Sequence, residues 1–198
     1  GGSSGLDSIT VSAGSNTNTG GTGADIMSIS GGDNTIYGGI GADAITTTGG
    51  TNTITGGIGI DTINLNSGTN TVFGGAGKDL INLTGGTNVV TGGSSGLDLI
   101  TITGGASNKV TVGTGADTIN VTGNNASTNT LIGGVGAANI NITAANSTNT
   151  VTGGSSGLDS ITIGAGSNTI TGGTGADIMN ISGGTNTITG GAGIDTIN

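Results

Sequence analysis

Residues 56–73 read GGIGIDTINLNSGTNTVF, and this stretch is one period of a repeat that extends through the 198 residues of the chain. The two halves of the period match each other, since Asp61 corresponds to Asn70 and Ile63 corresponds to Val72. Each period therefore contains two glycine-rich bends, one ending in Asp and the other in Asn. A fixed period determines the architecture of a repeat protein, because each repeat buries its apolar face only by stacking on its neighbours.

The segments between the bends alternate apolar and polar residues, which is the pattern of half-buried strands. Ile63 and Leu65 follow the Asp bend in this way, and Val72 follows the Asn bend. The chain contains no proline that would interrupt a β-ladder, and no segment has helical spacing. The sequence therefore predicts an all-β fold: a parallel β-roll or β-solenoid with two parallel sheets, about 18 residues per coil and roughly ten and a half coils.

Acidic residues recur at one position of the repeat, and of the eleven in the chain only Asp33 lies elsewhere. A regular solenoid places the recurring residues in a single file, one in each coil. The file contains Asp7, Asp25, Asp43, Asp61, Asp79, Asp98, Asp117, Asp159, Asp177 and Asp195. The second bend gives an equally regular file of Asn16, Asn34, Asn52, Asn70, Asn88, Asn108, Asn129, Asn149, Asn168 and Asn186.

A file of carboxylates is electrostatically unfavourable without a counter-charge. Neighbouring coils of a parallel solenoid are about 4.8 Å apart. At that separation two carboxylates repel by roughly 3 kcal/mol at an effective dielectric near 20. A divalent cation between successive bends reverses the sign, and a ligand set made only of oxygen favours calcium. The alternative is that these aspartates serve only as turn residues.

Composition excludes several classes of function. The chain has no Cys for disulfides and no His, Glu or Arg. Paired carboxylates can in principle do acid–base work, but a calcium-bound file of acids is structural, and we expect no enzyme. A net charge of −9 with 1% aromatic residues argues against nucleic-acid binding. No apolar stretch is long enough for membrane insertion.

The glycine-rich phrase resembles the calcium-binding nonapeptide of the RTX (repeats-in-toxin) proteins. The pattern Gly-Gly-x-Gly-x-Asp-x-apolar-x is intact at 20–28, 38–46, 56–64, 74–82, 172–180 and 190–198. The resemblance implies a parallel β-roll with several calcium ions between stacked loops. In that family one loop gives its second and fourth carbonyls and its Asp, and the next loop gives its first and third carbonyls and its Asp.

Carried over to this chain, the resemblance implies calcium ligands at each interface between intact loops. Besides the recurring aspartates, the implied ligands are the carbonyl groups of Gly21, Gly23, Gly38, Ile40, Gly39, Gly41, Gly56, Ile58, Gly57, Gly59, Gly74, Ala76, Gly172, Thr174, Gly173, Gly175, Gly190 and Ala192.

Three departures from the family pattern change the expectation. The second bend ends in Asn, so we expect calcium along one edge only and an asparagine ladder along the other. The loops at Gly1, Gly92 and Gly153 read GGSSGLD and are one residue longer, which is expected to alter their sites. Ala138 stands where the eighth coil should have Asp, so we expect a gap in the calcium file at 133–138.

The charge-poor, Thr/Asn/Ser/Gly-rich array is similar to the RTX-type surface-layer (S-layer) proteins of Gram-negative bacteria. This resemblance implies type I secretion, calcium-driven folding outside the cell and assembly with copies of itself at the bacterial surface. Cell-surface polysaccharide would be bound by regions outside this segment. We expect residues 1–198 to be a single RTX-like β-roll segment of a longer repeat protein.

Other functions fit the same repeat. The roll could be the rigid spacer of an RTX adhesin, or the C-terminal secretion and folding module of an RTX toxin or protease. Ranks of Thr-x-Thr, such as Thr53 and Thr55, are also compatible with ice binding, although Tyr37 and Phe73 interrupt them. These two aromatic residues are alternatively the mark of a lateral contact.

Overall fold

The computed structural model describes residues 2–123 and 126–198, which form β-strands joined by short bends. These residues contain no helix long and apolar enough to cross a bilayer. The strands are β1 (Ser8–Val11), β2 (Asn16–Thr22), β3 (Ile26–Ile29), β4 (Asp33–Ile40), β5 (Ala44–Thr47), β6 (Thr51–Ile58), β7 (Thr62–Leu65), β8 (Thr69–Ala76), β9 (Leu80–Leu83), β10 (Thr87–Ser95), β11 (Leu99–Ile102), β12 (Ser107–Gly113), β13 (Thr118–Val121), β14 (Thr128–Gly134), β15 (Asn139–Ile142), β16 (Thr148–Gly154), β17 (Ser160–Ile163), β18 (Ser167–Thr174), β19 (Ile178–Ile181), β20 (Thr185–Ala192) and β21 (Thr196–Ile197).

The strands form two parallel sheets, as the repeat predicts. In the described chain the short odd-numbered strands form an 11-stranded sheet in the order β1-β3-β5 and so on to β21, and the long even-numbered strands form a 10-stranded sheet from β2 to β20. Each strand pairs with the equivalent strand one coil away, so that Ile63 lies beside Ile81 and Val72 beside Val90. The β-solenoid fold is therefore confirmed.

The core is a narrow column between the sheets. Each regular coil contributes two buried side chains from the short strand and one from the long strand, as in Ile63, Leu65 and Val72. Burial alternates along the strands, which is why the period-2 pattern identifies the inward residues. Thr47 is an exception, since its hydroxyl is buried where the neighbouring coils place Ile29 and Leu65.

The bends depend on glycine because consecutive coils approach closely there. Gly39 and Gly41 have φ values of 123° and 145°, and a Cβ on either would collide with the carbonyl oxygen of Gly21 or Gly23 in the preceding coil. Among the described residues, positive φ values occur only at glycines. The glycine phrase thus brings one carbonyl-rich bend directly over the next, and this stacking positions the candidate site.

Candidate metal centre

The recurring aspartates point into the roll, and not into solvent. Asp61 lies two residues before Ile63, so it takes the same inward side of the chain as the core residues. In the eight inner coils that carry Asp, its exposed fraction is at most 2%. Asp7 and Asp195 are half-buried. The carboxylates therefore form a buried file along one edge of the column.

From Asp25 onward, each carboxylate of the file accepts a hydrogen bond from the preceding coil with one of its oxygens. The backbone N–H of Asp61 donates to Oδ1 of Asp79 at 3.0 Å, and the N–H of Asp43 donates to Oδ1 of Asp61 at 2.9 Å. The second oxygen, Oδ2, has no hydrogen-bond partner in seven of these residues within the described chain. They are Asp25, Asp43, Asp61, Asp79, Asp98, Asp117 and Asp177. A buried polar atom without a partner is costly, so the arrangement leaves an acceptor for a further group.

The unpartnered oxygens face backbone carbonyls across a space that only glycine leaves open. A Cβ built on Gly38 would lie 2.6 Å from Oδ2 of Asp43 and would also collide with the carbonyl oxygen of Gly56 in the next coil. The same two types of oxygen converge on Gly74, where a Cβ would be 2.6 Å from Oδ2 of Asp79. Asp and the first carbonyl of the following loop are thus brought together at this edge.

The remaining loop carbonyls fall into two groups. Those of the second and fourth positions point along the roll axis at the next loop, as the Gly21 and Gly23 oxygens do toward Gly39 and Gly41. The third-position carbonyls are engaged within the protein: the N–H of Gly41 donates to the oxygen of Ile58 at 2.8 Å. The carbonyl oxygens that accept such a bond from a fourth-position glycine are those of Ile40, Ile58, Ala76, Val135 and Ala192, and in the longer middle loop that of Ser95.

Burial makes the ionised form of these carboxylates unfavourable in the metal-free protein. Desolvation is the largest cause, and it raises the pKa of Asp61 to about 6 and the pKa of Asp98 to about 7. Donation from the preceding Asp N–H lowers both pKa values, and the neighbouring carboxylates raise them further. The pKa values of Asp43, Asp79, Asp117 and Asp177 are raised as well, again mainly by desolvation.

These donors fit a hard divalent cation. Carboxylate and carbonyl oxygens are the ligands that calcium prefers, and no nitrogen or sulfur side chain lies in the file. Within residues 2–123 and 126–198 no three acidic side chains gather around one point. The file contains at most one aspartate from each coil, so a cation between two coils has to draw its other ligands from the backbone, which the glycine bends expose.

Comparison with known families identifies the repeat. The model of the RTX calcium-binding nonapeptide repeat matches residues 1–28, 19–54, 28–63, 46–81, 64–95, 153–181 and 180–198. The chain belongs to the RTX repeat family. No curated protein and no solved structure matched it. Residues 96–152 of the RTX roll lie outside the matched ranges, and this is the region with the irregular coils and Ala138.

The RTX roll departs from its own pattern at Ala138, where the sequence predicts a gap in the calcium file. The Cβ of Ala138 stands near Gly133, where the other coils place a carboxylate oxygen. Asp159 in the next coil accepts the Ala138 N–H with Oδ1 at 2.6 Å and the Gly154 N–H with Oδ2. Both oxygens of Asp159 therefore have protein partners, and the acidic file is divided at this point.

The longer GGSSGLD loops differ from one another. In the first loop Gly1 lies outside the described residues, but the N–H of Gly2 donates to Oδ2 of Asp7, as Gly154 does for Asp159. In the middle loop Oδ2 of Asp98 has no partner, and the extra residue appears as a register shift between Gly93 and Ser95. The sequence predicts altered sites in all three longer loops, and the environment of Oδ2 differs at Asp7 and Asp159 but not at Asp98.

The opposite edge of the RTX roll is an amide ladder. The Nδ2 of Asn52 donates to Oδ1 of Asn70 at 2.9 Å and also to the carbonyl of Gly49 at 3.0 Å. The chain of side-chain bonds runs without interruption from Asn16 to Asn186. The predicted asparagine ladder is confirmed, and in two irregular coils Ser127 and Ser147 hydroxyls replace the local carbonyl acceptor.

Proposed function

We propose that this RTX roll is a calcium-binding structural module of a secreted bacterial surface-layer or surface-array protein, and that it folds and assembles with copies of itself outside the cell. The observation that carries the proposal is the file of buried Oδ2 atoms without a protein partner. In this proposal the roll has no catalytic role, in keeping with the lack of His, Cys, Glu and Arg.

The residues of the chain prepare the edge for cations in three ways. The Asp side chains supply one buried oxygen per coil, and the glycine bends leave neighbouring carbonyls accessible because no Cβ fills the space. The inter-coil bonds to Oδ1 hold each carboxylate in a fixed orientation. Calcium, when bound, supplies the positive charge that offsets repulsion and desolvation along the file. Asp43 with Asp61, and Asp79 with Asp98, are examples of aspartates from adjacent coils that are linked in this way.

Calcium removal tests this proposal directly. We expect far-UV circular dichroism of the purified chain to show little β-structure in chelator and a cooperative gain on calcium titration, with magnesium at the same concentration much less effective. Calorimetry should give about one ion per interface between two Asp-bearing coils. Full β-structure and unchanged stability in chelator would refute the calcium dependence, and the aspartates would then be turn residues only.

A matched pair of variants separates a specific site from a general charge effect. Asp61→Asn removes a buried carboxylate and should reduce the calorimetric stoichiometry. Asp33→Asn removes the one acidic side chain that is exposed in the described part of the chain and should leave the stoichiometry unchanged. Equal losses in the two variants would mean that calcium acts only by screening net charge.

Assembly at a surface is the second part of the proposal. Because the file lies inside, the exposed charged side chains of the described residues are Asp33, Lys78 and Lys109. A nearly uncharged exterior offers little repulsion between copies once calcium neutralises the interior. Electron microscopy of the purified protein with and without calcium tests this part, because a surface-layer protein should form ordered arrays only in calcium.

The spacer of an RTX adhesin is the second candidate. The uninterrupted Asn ladder and the continuous sheets support a stiff rod about 48 Å long, at roughly 4.8 Å for each coil step. A spacer should stay monomeric in calcium at every concentration, whereas a surface-array protein should not.

A further inference from the structure

The outer face of the long-strand sheet carries an apolar patch in a surface that is otherwise rich in threonine. Tyr37 of β4, Phe73 of β8 and Val89 of β10 are 44%, 46% and 46% exposed. The neighbours of Phe73 at the same position of the repeat are Thr55 and Thr91, one in each adjacent strand. Large exposed apolar groups in one region of a small protein commonly mark an interaction surface.

Two opposite charges lie on this face, each of them two strands away from the strand that carries Phe73. The sheet order is β4-β6-β8-β10-β12, with Asp33 on β4, Phe73 on β8 and Lys109 on β12. Asp33 and Lys109 are both exposed and are four strands apart, about 19 Å at roughly 4.8 Å per strand. They are therefore too distant to pair within one molecule.

We propose that this face, defined by Asp33, Tyr37, Phe73, Val89 and Lys109, is a self-complementary surface that binds a second copy of the chain. The inference rests on the proposed self-assembly and names the surface for it. Consider a two-fold axis that runs parallel to β8 between the two facing copies. It reverses the order of the strands in the second copy and keeps each residue at the same position along its strand. It places β4 of one copy opposite β12 of its partner, so the charges pair twice.

The same axis brings the apolar groups together. Phe73 packs on Phe73 of the second copy at the axis, and Val89 lies opposite Thr53. In the register of the sheet, Asp33 lies two residues before the position that aligns with Lys109, which is about 7 Å along the strand. A lysine side chain can span this distance to the aspartate of the second copy. Beside Phe73 a shallow depression is lined by Gly75, Ala76, Thr91, Gly92, Gly93 and Ser94, and it gives room for the partner's ring.

The area of the face sets the expected strength. Five strands and about six residues along each strand give roughly 400 Å² per copy, which is below the ~800 Å² per partner of a standard stable interface. The dimer is therefore weak and is relevant at the high local concentration of an array. Sedimentation analysis in saturating calcium, from about 10 µM to about 1 mM protein, should detect it.

Charge reversal and a matched apolar substitution test the geometry. Phe73→Thr, which copies Thr55 and Thr91, should raise the dimer Kd by about tenfold or more. Asp33→Lys or Lys109→Asp alone should each raise it several-fold because like charges then face each other, and the double reversal should restore it. Lys78→Asp changes an exposed charge in the bend that follows β8, outside the face, and should leave the Kd unchanged.

Circular dichroism of every variant in calcium keeps the two proposals distinguishable. A wild-type chain that folds in calcium but stays monomeric throughout the concentration range overturns this surface and leaves the calcium-dependent fold intact. A dimer that is insensitive to Phe73→Thr, or that the double reversal fails to restore, also overturns it. If the chain is folded without calcium, the proposed calcium dependence fails, and self-association is still measured on the folded chain.

Discussion

Asn18 occupies a position that apolar residues fill in the other coils. It pairs with Ile36 in the adjacent strand, and its Nδ2 is buried without a hydrogen-bond partner. In the nearly repeated segment that begins at Gly153 the same position is Ile170. Asn18→Ile should therefore raise the free energy of unfolding by about 1–3 kcal/mol, because it removes an unsatisfied donor and adds apolar burial.

The measurement is urea unfolding in saturating calcium. The reciprocal change, Ile170→Asn, provides the control and should lower the free energy of unfolding by a similar amount or more, since Ile170 is fully buried. If Asn18→Ile has no effect or destabilises the roll, its amide has an energetic role that the contacts of Asn18 do not reveal.

Gly56 illustrates why the first glycine of each Asp bend cannot carry a side chain. A Cβ on this residue would lie between Oδ2 of Asp61 and the carbonyl oxygen of Gly74. Gly56→Ala should lower the free energy of unfolding by about 1–3 kcal/mol and weaken calcium binding at that interface. Thermal unfolding and calorimetry check both effects.

Gly164 is the matched control for Gly56, because a Cβ there meets its nearest atom at 3.6 Å and its φ is not positive. Gly164→Ala should be nearly neutral in both measurements. Equal losses in the two variants would show that backbone flexibility, and not the space beside the carboxylate, explains the role of Gly56.

At the level of elements, the repeat predicts almost everything that depends on register. The sequence of one coil predicts its two strands, the residues that point inward, and the stacking of Asp on Asp and of Asn on Asn. The register is well specified, because a slip of one residue would turn Ile63 outward. The sequence does not predict which atoms the loops use internally. The carbonyl oxygen of Ile58 accepts a hydrogen bond from a backbone N–H, and the N–H of Gly154 donates to Asp159. The sequence does not predict these two bonds, because they depend on the exact path of the bend.

The division of the acidic file at Ala138 is an element-level feature that can be reversed. Ala138→Asp places a carboxylate between Asp117 and Asp159, so two new interfaces with an aspartate on each side arise. We expect the calorimetric stoichiometry in calcium to rise by about two ions. In chelator the same variant should be less stable than the wild type, because a further buried charge is added without a partner.

Ala116→Asp tests whether any added acid has this effect. Ala116 lies immediately before Asp117 and is exposed, so its substituent faces solvent. This variant should leave both the stoichiometry and the stability in chelator close to wild type. A stoichiometry that is unchanged in Ala138→Asp would show that the long loop at Asp159 prevents binding independently of the missing carboxylate.

For the whole molecule, the distribution of charge matters more than its sum. The net charge of −9 suggests an acidic surface, yet most aspartates are buried in one file. Sequence composition could not reveal this, because turn aspartates are usually exposed. In the proposed function calcium acts on the interior of the roll, and the stability of the whole solenoid is coupled to the ionisation of that file.

This coupling predicts an unusual pH dependence for the metal-free roll. Burial raises the pKa of Asp61 to about 6 and of Asp98 to about 7, above the ordinary value of 3.8. Between the ordinary and raised pKa values the folded chain holds more protons than the unfolded chain, so the free energy of unfolding falls as pH rises from about 4 to about 7. In saturating calcium the ionised carboxylates are stabilised, and the slope should reverse.

Urea unfolding at several pH values in this window, with chelator and with calcium, measures both slopes. Where the metal-free chain is too unstable at pH 7, the data at lower pH define the slope. The double variant Asp61→Asn and Asp98→Asn should flatten the chelator profile, because it removes two carboxyl groups whose pKa values are strongly raised in the folded chain. A metal-free roll that becomes more stable as pH rises would mean that the file is ionised without calcium, and its carboxylates would then have to be stabilised by water or by the backbone.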